Sequence, residues 1–175
     1  MRTVEEHQRV VADLIRAGAS AQVGLSEAQG LALASDVSAP LSLPVFDNSG
    51  MDGYAVRAAD VAGATADSPV TLVVAEDIPA GRTDALTLAP GTAHRIMTGA
   101  PVPSGADSIV PVEQTDAGKP GEDVEIRMAP RSGQHIRRAG EDVAAGDTVL
   151  HAGQVVTPAA LGLAAALGLA SLTVV

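Results

Sequence analysis

Three segments of this sequence set carboxylates and hydroxyls among tight-turn residues: FDNSGMDGY around Asp52, RIMTGAPVPSGAD around Thr98, and IRRAGEDVAAGD around Asp142. Carboxylates and a hydroxyl can orient a polar substrate, move a proton or hold a hard cation, which prefers oxygen ligands. In the first segment Gly50 and Gly53 permit positive φ, so Asp47, Ser49 and Asp52 can project in directions that a regular element forbids. Thr98-Gly99-Ala100-Pro101 combines a hydroxyl with successive loop amides, a pattern that forms anion-binding concavities. Arg137 and Arg138 add guanidinium groups able to receive phosphate.

Each segment also has a purely local explanation. Asp and Asn in Gly-flanked turns commonly bond their own backbone. Beside Glu141 and Asp142, the Arg137-Arg138 pair reads equally well as a local ion-pair cluster of small energetic weight. His7, His94, His135 and His151 lack metal-ligand spacing, and the absence of cysteine excludes thiol nucleophiles, disulfides and zinc thiolates. No nucleophile elbow, Walker A loop or dinucleotide fingerprint is present. Residue chemistry alone therefore leads to three irregular polar loops and an expected acidic pocket that holds Mg²⁺ or orients a polar substrate. A carboxylate-pair hydrolase stays open at this point, because it depends on the separation of the carboxyls.

Composition narrows the classes. The 175-residue chain is 46% hydrophobic but only 1% aromatic, so its core rests on Val, Leu, Ile and Ala. Phe46 and Tyr54 are the only aromatic residues, and both fall in the first polar segment, where they are expected to pin the loop to a core. The net charge of −10 repels phosphate backbones and anionic membrane surfaces, and two rings supply no row of stacking platforms. Nucleic-acid binding is disfavoured on these grounds. The N-terminus lacks a secretory h-region, and the uncharged closing segment PAALGLAAALGLASLTVV, broken by Gly168, reads as a buried helix and a strand rather than a membrane span. A reducing, cytoplasmic setting is compatible with these features.

The elements that must position the polar loops follow from periodicity. Val4, Val10, Val11, Leu14 and Ile15 predict an amphipathic helix that ends near Gly18 and packs against something. Ser26 and Gln29 form a capping-box pattern, predicting a helix through Leu33 and then an extended LASDVSAP. From Val56 to about Met128, the runs VTLVVA, LTL, TAHRIMT, DSIVPVE and DVEIRM alternate with Gly/Pro/Asp-rich turns and predict a small β barrel or sandwich. Thr157 and Pro158 predict a capped helix, Gly168 its end, and LTVV a strand. A strand entered at the last residue predicts a native polypeptide that continues beyond Val175.

Taken together and in this order, these segments resemble the molybdopterin molybdenumtransferase family, the MoeA proteins and the gephyrin E domain. The resemblance rests on APLSLP with FDNSGMDGYAV, then RIMTGAPVPSGAD with IVPVE, then GQHIRRAGEDVAAGDTVLHAG with TPAALGLAAALG, and it covers that family's N-terminal half. It implies an α+β fold: an elongated mixed α/β domain from residues 1–45 and 135–175, through which family members form homodimers, with a small β-barrel-like domain inserted at 46–134. It further implies Mg²⁺- and molybdate-dependent insertion of molybdenum into adenylylated molybdopterin, with release of AMP, in a cytoplasmic enzyme.

Asp52, Thr98 and Asp142 fall at the family's cleft-lining positions. The two carboxylates are expected to serve Mg²⁺ or substrate orientation and Thr98 to hydrogen-bond, with Ser49, Gly99 and Arg137 as cofactor-binding residues in the same loops. Gly50 departs from the alanine that the family often has there. The family's later molybdopterin-binding domain would begin just after LTVV, so the isolated chain is expected to be inactive. The alternative, drawn from the gephyrin branch, is a non-catalytic assembly module.

Overall fold

The computed structural model describes residues 2–14 and 18–175. In chain order its elements are α1 (Val4–Leu14), β1 (Ala21–Gly24), α2 (Leu25–Ala28), β2 (Val37–Ser38), β3 (Asn48–Ser49), β4 (Gly53–Val56), β5 (Val70–Ile78), β6 (Thr92–Ile96) and β7 (Ser108–Pro111). There follow β8 (Asp123–Ile126), β9 (Ile136–Arg137), β10 (Thr148–Leu150), α3 (Pro158–Ala166) and β11 (Ser171–Val174). The fold is mixed α/β, mostly sheet with few helices.

Two compact units divide the chain: residues 1–41 with 145–175, and residues 42–144. In the second unit β7, β4, β6, β5 and β8 lie side by side as a five-stranded sheet curled into a half-barrel. All its pairings are antiparallel except β5 with β6, which is parallel and carries an irregularity between Val74 and Glu76. Aliphatic side chains fill both faces. Tyr54, Val56, Val74, Val110, Val124 and Ile126 form one cluster; Ala55, Ile78, Ile96 and Ile109 form another. Of the expected strands, LTL forms none, and Thr87 makes only an isolated bridge to Ser104.

Segments 42–45 and 135–144, read from sequence as part of the elongated domain, cluster with the sheet unit. The reason is local pairing. Asn48 and Ser49 of β3 register with Arg137 and Ile136 of β9, and Leu43 bridges Val143.

In the first unit β1 pairs with β11, and β2 with β10, all antiparallel. Ala28, Leu33, Leu150, Val156, Ala164, Leu172 and Val174 form its core. The α3 cap is as expected: Thr157 Oγ1 accepts from the Ala160 N–H, Pro158 follows, and Gly168 adopts φ 75° beyond the helix end. The capping-box expectation is corrected, because Ser26 lies inside α2, Gly24 is the N-cap, and the helix stops at Ala28. Gly30 at φ 84° turns the chain there, which frees Leu33 to bridge Val174 of β11. The expectation that α1 packs is also not met, since none of its residues is buried and Leu14 is 79% exposed. Ile15 and Arg16, assigned to the same helix by spacing, lie outside the described residues. No helix among the described residues is long and apolar enough to cross a membrane.

Candidate active site

The first polar segment runs straight into the middle of the sheet. Gly53 opens β4, and a Cβ there would stand 2.0 Å from the Val110 carbonyl oxygen on β7. Close approach of backbones, rather than positive φ, is therefore what requires glycine. Neither Gly50 nor Gly53 is among the residues with positive φ, which corrects the expectation for this loop. Tyr54 is fully buried and donates its hydroxyl to the Gly118 carbonyl at 2.6 Å, the anchoring role expected of it. Phe46 does not share that role, being 45% exposed at the edge of two cavities.

Asp52 projects from the loop just before β4 and meets Thr98, which follows β6. Its Oδ1 accepts from both the Thr98 N–H and the Thr98 Oγ1, each at 2.7 Å. The amide bond, then the hydroxyl bond, hold the Asp52 carboxyl below its ordinary pKa, with a further contribution from the positive field of Arg95. Two residues named separately from the sequence are thus hydrogen-bonded to each other. Both residues are exposed, so the carboxylate faces solvent.

The remaining expected amide donors are already engaged. Gly99, at φ 79°, donates to the Ser49 carbonyl at 2.8 Å, and Ala100 donates to Met97 at 3.0 Å. The amides of Thr98, Gly99 and Ala100 therefore close the turn instead of forming an anion concavity. Ser49 is fully buried, and its hydroxyl donates to the Met51 carbonyl. Its side chain serves the loop's own geometry.

Asp142 lies elsewhere in the sheet unit. Arg137 donates to Asp142 Oδ2 at 2.5 Å and to Glu141 Oε1 at 3.0 Å, and these carboxylates raise the guanidinium pKa. Next to this fork, Asp47 accepts from Arg138 at 2.6 Å and from the Ala139 N–H at 2.8 Å. The Ala139 amide, then Arg138, keep the Asp47 carboxyl below its usual range. Asp47 thereby ties the 47–52 loop to the 137–142 loop.

Two cavities separate the candidates. A cavity of about 410 Å³ is lined by Leu43, Pro44, Phe46, Gly99, Arg137 and Asp142, among others, and the Leu43–Pro44 peptide is cis. A smaller cleft of about 110 Å³ is lined by Asp52, Gly53, Arg95, Met97 and Val112. The Thr98-Gly99 turn connects them, since Thr98 clasps Asp52 and Gly99 lines the larger cavity. Arg95 escaped the sequence reading; the pairing of β4 with β6, which sets it opposite Tyr54, brings it to the cleft.

Among the described residues no group of three or more His, Cys, Asp or Glu side chains is arranged to hold a metal ion. Mg²⁺ commonly uses one or two carboxylates and completes its shell with waters and substrate phosphates. Asp52 and Asp142 line different cavities, so each can offer a carboxylate to that mode of binding, and the two do not build a protein-only cage.

The model of the MoeA N-terminal region (domain I and II) matches residues 2–168. The chain belongs to this family. Among MoeA relatives, molybdopterin molybdenumtransferase 2 of Mycobacterium tuberculosis is 69% identical over 99% of the chain and 42% of that relative. The molybdopterin molybdenumtransferase of Synechococcus elongatus is 45% identical over 87% of the chain and 38% of its own length. A crystal structure of the molybdopterin biosynthesis MoeA protein from Pyrococcus horikoshii OT3 superposes with a TM-score of 0.89 at 32% identity, over 97% of this chain and 45% of that one. The chain thus spans about two-fifths of the length of the curated MoeA relatives it matches.

Proposed function

We propose that this chain is the N-terminal part of an enzyme that inserts molybdenum from molybdate into adenylylated molybdopterin with release of AMP. The observation that carries the reading is the MoeA match over residues 2–168, within which the loop before β4 and the turn after β6 meet through the Asp52–Thr98 pair beside a cleft. Catalysis requires the later part of the protein, so the chain alone is inactive. The unit of residues 1–41 and 145–175 acts as the elongated dimerisation domain of a cytoplasmic homodimer, and residues 42–144 as the inserted barrel-like domain. Uncovered apolar side chains on α1, Val4, Val11 and Leu14, support the dimer.

In this reading Asp52 works as an ionised, pre-oriented acceptor. Thr98 fixes one of its oxygens and leaves the other directed at substrate or Mg²⁺. Arg137 fixes Asp142 in the same manner. Bound there, Mg²⁺ would neutralise negative charge on the phosphates of the adenylylated substrate. Ser49 and Gly99 contribute indirectly, by shaping the loop that carries Asp52 and Thr98.

The test is molybdenum-cofactor synthesis by an extended polypeptide carrying Asp52→Ala or Asp142→Ala. Loss of synthesis is expected for both. Synthesis at the unmodified rate in both variants would overturn the assignment and favour the assembly role.

A further inference from the structure

In the unit of residues 42–144, Arg57, Arg82, Arg127, Arg137 and Arg138 each reach a carboxylate within 4 Å. Arg95, Arg131 and Lys119 form no ion pair among the described residues. Lys119 is exposed on a loop, and Arg131 edges an open surface depression with Ser132, Gly133 and Gln134. Arg95 differs from both. It is half-buried on β6, an interior strand of the sheet, and lines the cleft of about 110 Å³ that also holds Asp52.

Even Asp77, its register neighbour on β5, does not take this guanidinium, although Asp77 Oδ1 is buried without a partner. A planar cation held on a rigid strand and committed to no carboxylate matches the two-oxygen edge of a phosphate or tetraoxo anion. The cleft admits such a group but is small for a fused heterocycle. Arg137 and Arg138, the arginines bonded to the candidate carboxylate loops, are already neutralised, so Arg95 is the cation that the Asp52 cleft offers to an incoming oxyanion.

We infer that Arg95 is an oxyanion-binding residue, receiving a phosphate or molybdate oxyanion in the cleft beside Asp52. The inference rests on the transferase reading only for the biological source of that anion.

NMR titration of this chain with sodium molybdate, inorganic phosphate and AMP, each taken separately, tests it. At least one probe is expected to shift the amide signals of Gly53, Arg95 and Thr98. Arg95→Gln should weaken that binding about tenfold, while Arg131→Gln changes it less than about twofold. Response to molybdate alone assigns the subsite to the metal oxyanion; response to AMP or phosphate assigns it to the substrate's phosphate. Arg95→Lys keeps the charge without the fork and serves if the Gln variant does not fold, with intermediate affinity expected.

Unchanged affinity in Arg95→Gln, or no shift at Gly53, Arg95 and Thr98 with any probe, would overturn the inference. Arg95-dependent binding in a chain whose extended form releases no AMP would leave it standing and remove the transferase reading. AMP release by the extended form, with no Arg95-dependent binding, would do the reverse.

Discussion

Asp52 and Thr98 are separated by most of the five-stranded sheet in sequence, yet one carboxylate oxygen takes both the amide and the hydroxyl of Thr98 at 2.7 Å. β4 and β6 are adjacent and antiparallel, so the residue before one and the residues after the other emerge at the same end. Asp52→Asn retains an acceptor in the clasp but removes the charge, whereas Asp52→Ala removes both. In an extended polypeptide Asp52→Ala is expected to lower AMP release about hundredfold, as misplacement at a reacting centre does. A loss below about twofold, read in an AMP-release assay, would show that the clasp is structural only.

Acid dependence should single out Asp47. Its folded-state pKa is lowered, chiefly by the Ala139 amide and then by Arg138. The stability it contributes is thus fully present above the unfolded value of about 3.9 and is lost as pH falls through the lower folded value. Solvent screening keeps the contribution under about 1 kcal/mol. Urea unfolding of Asp47→Asn and the unmodified chain should differ at pH 7 and converge as pH drops below about 4. A difference that grows on acidification would contradict the assignment.

Gly53 is a steric requirement. Its Cβ would fall 2.0 Å from the Val110 oxygen within a paired strand, so Gly53→Ala is expected to cost about 3 kcal/mol or more, or to prevent folding of the sheet unit. Thermal unfolding monitored by circular dichroism reads this directly. A melting temperature within a few degrees of the unmodified chain would show that β4 and β7 separate easily.

Tyr54 gives an independent check on the buried face. Tyr54→Phe leaves the Gly118 carbonyl without its 2.6 Å donor, and a loss of about 1–2 kcal/mol is expected in urea unfolding. A neutral effect would indicate that Gly118 finds another donor without cost.

The legible parts of this protein are those whose signal is local. Thr157, Pro158 and Gly168 delimit α3 because caps act on their own turn. The short β-branched and aliphatic runs VTLVVA and TAHRIMT, bounded by turn residues, identified β5 and β6 for the same reason. Ser26 misled, because Gly24 and the pairing of β1 with β11 set where α2 starts and the capping box does not form.

At the site, Asp52 and Thr98 were named from turn chemistry, but whether Gly99's amide was free depended on Ser49, a partner distant in sequence. Arg95 was passed over because nothing near it marks it. Its distinction is that it lines the Asp52 cleft without a carboxylate partner, while Arg57, Arg82, Arg127, Arg137 and Arg138 of the same unit each found one, a property of the three-dimensional arrangement alone.

AMP release from adenylylated molybdopterin in the presence of molybdate and Mg²⁺ distinguishes half of a site from a whole one. Two proteins are compared: this chain alone, and this chain joined to the remaining portion of the 69%-identical mycobacterial relative. Release is expected from the joined polypeptide, and none above background from the chain alone. Equal release by both would contradict the division of labour proposed here. An inert joined polypeptide, with the relative itself active under the same conditions, would contradict the claim that these residues supply the N-terminal half of the site.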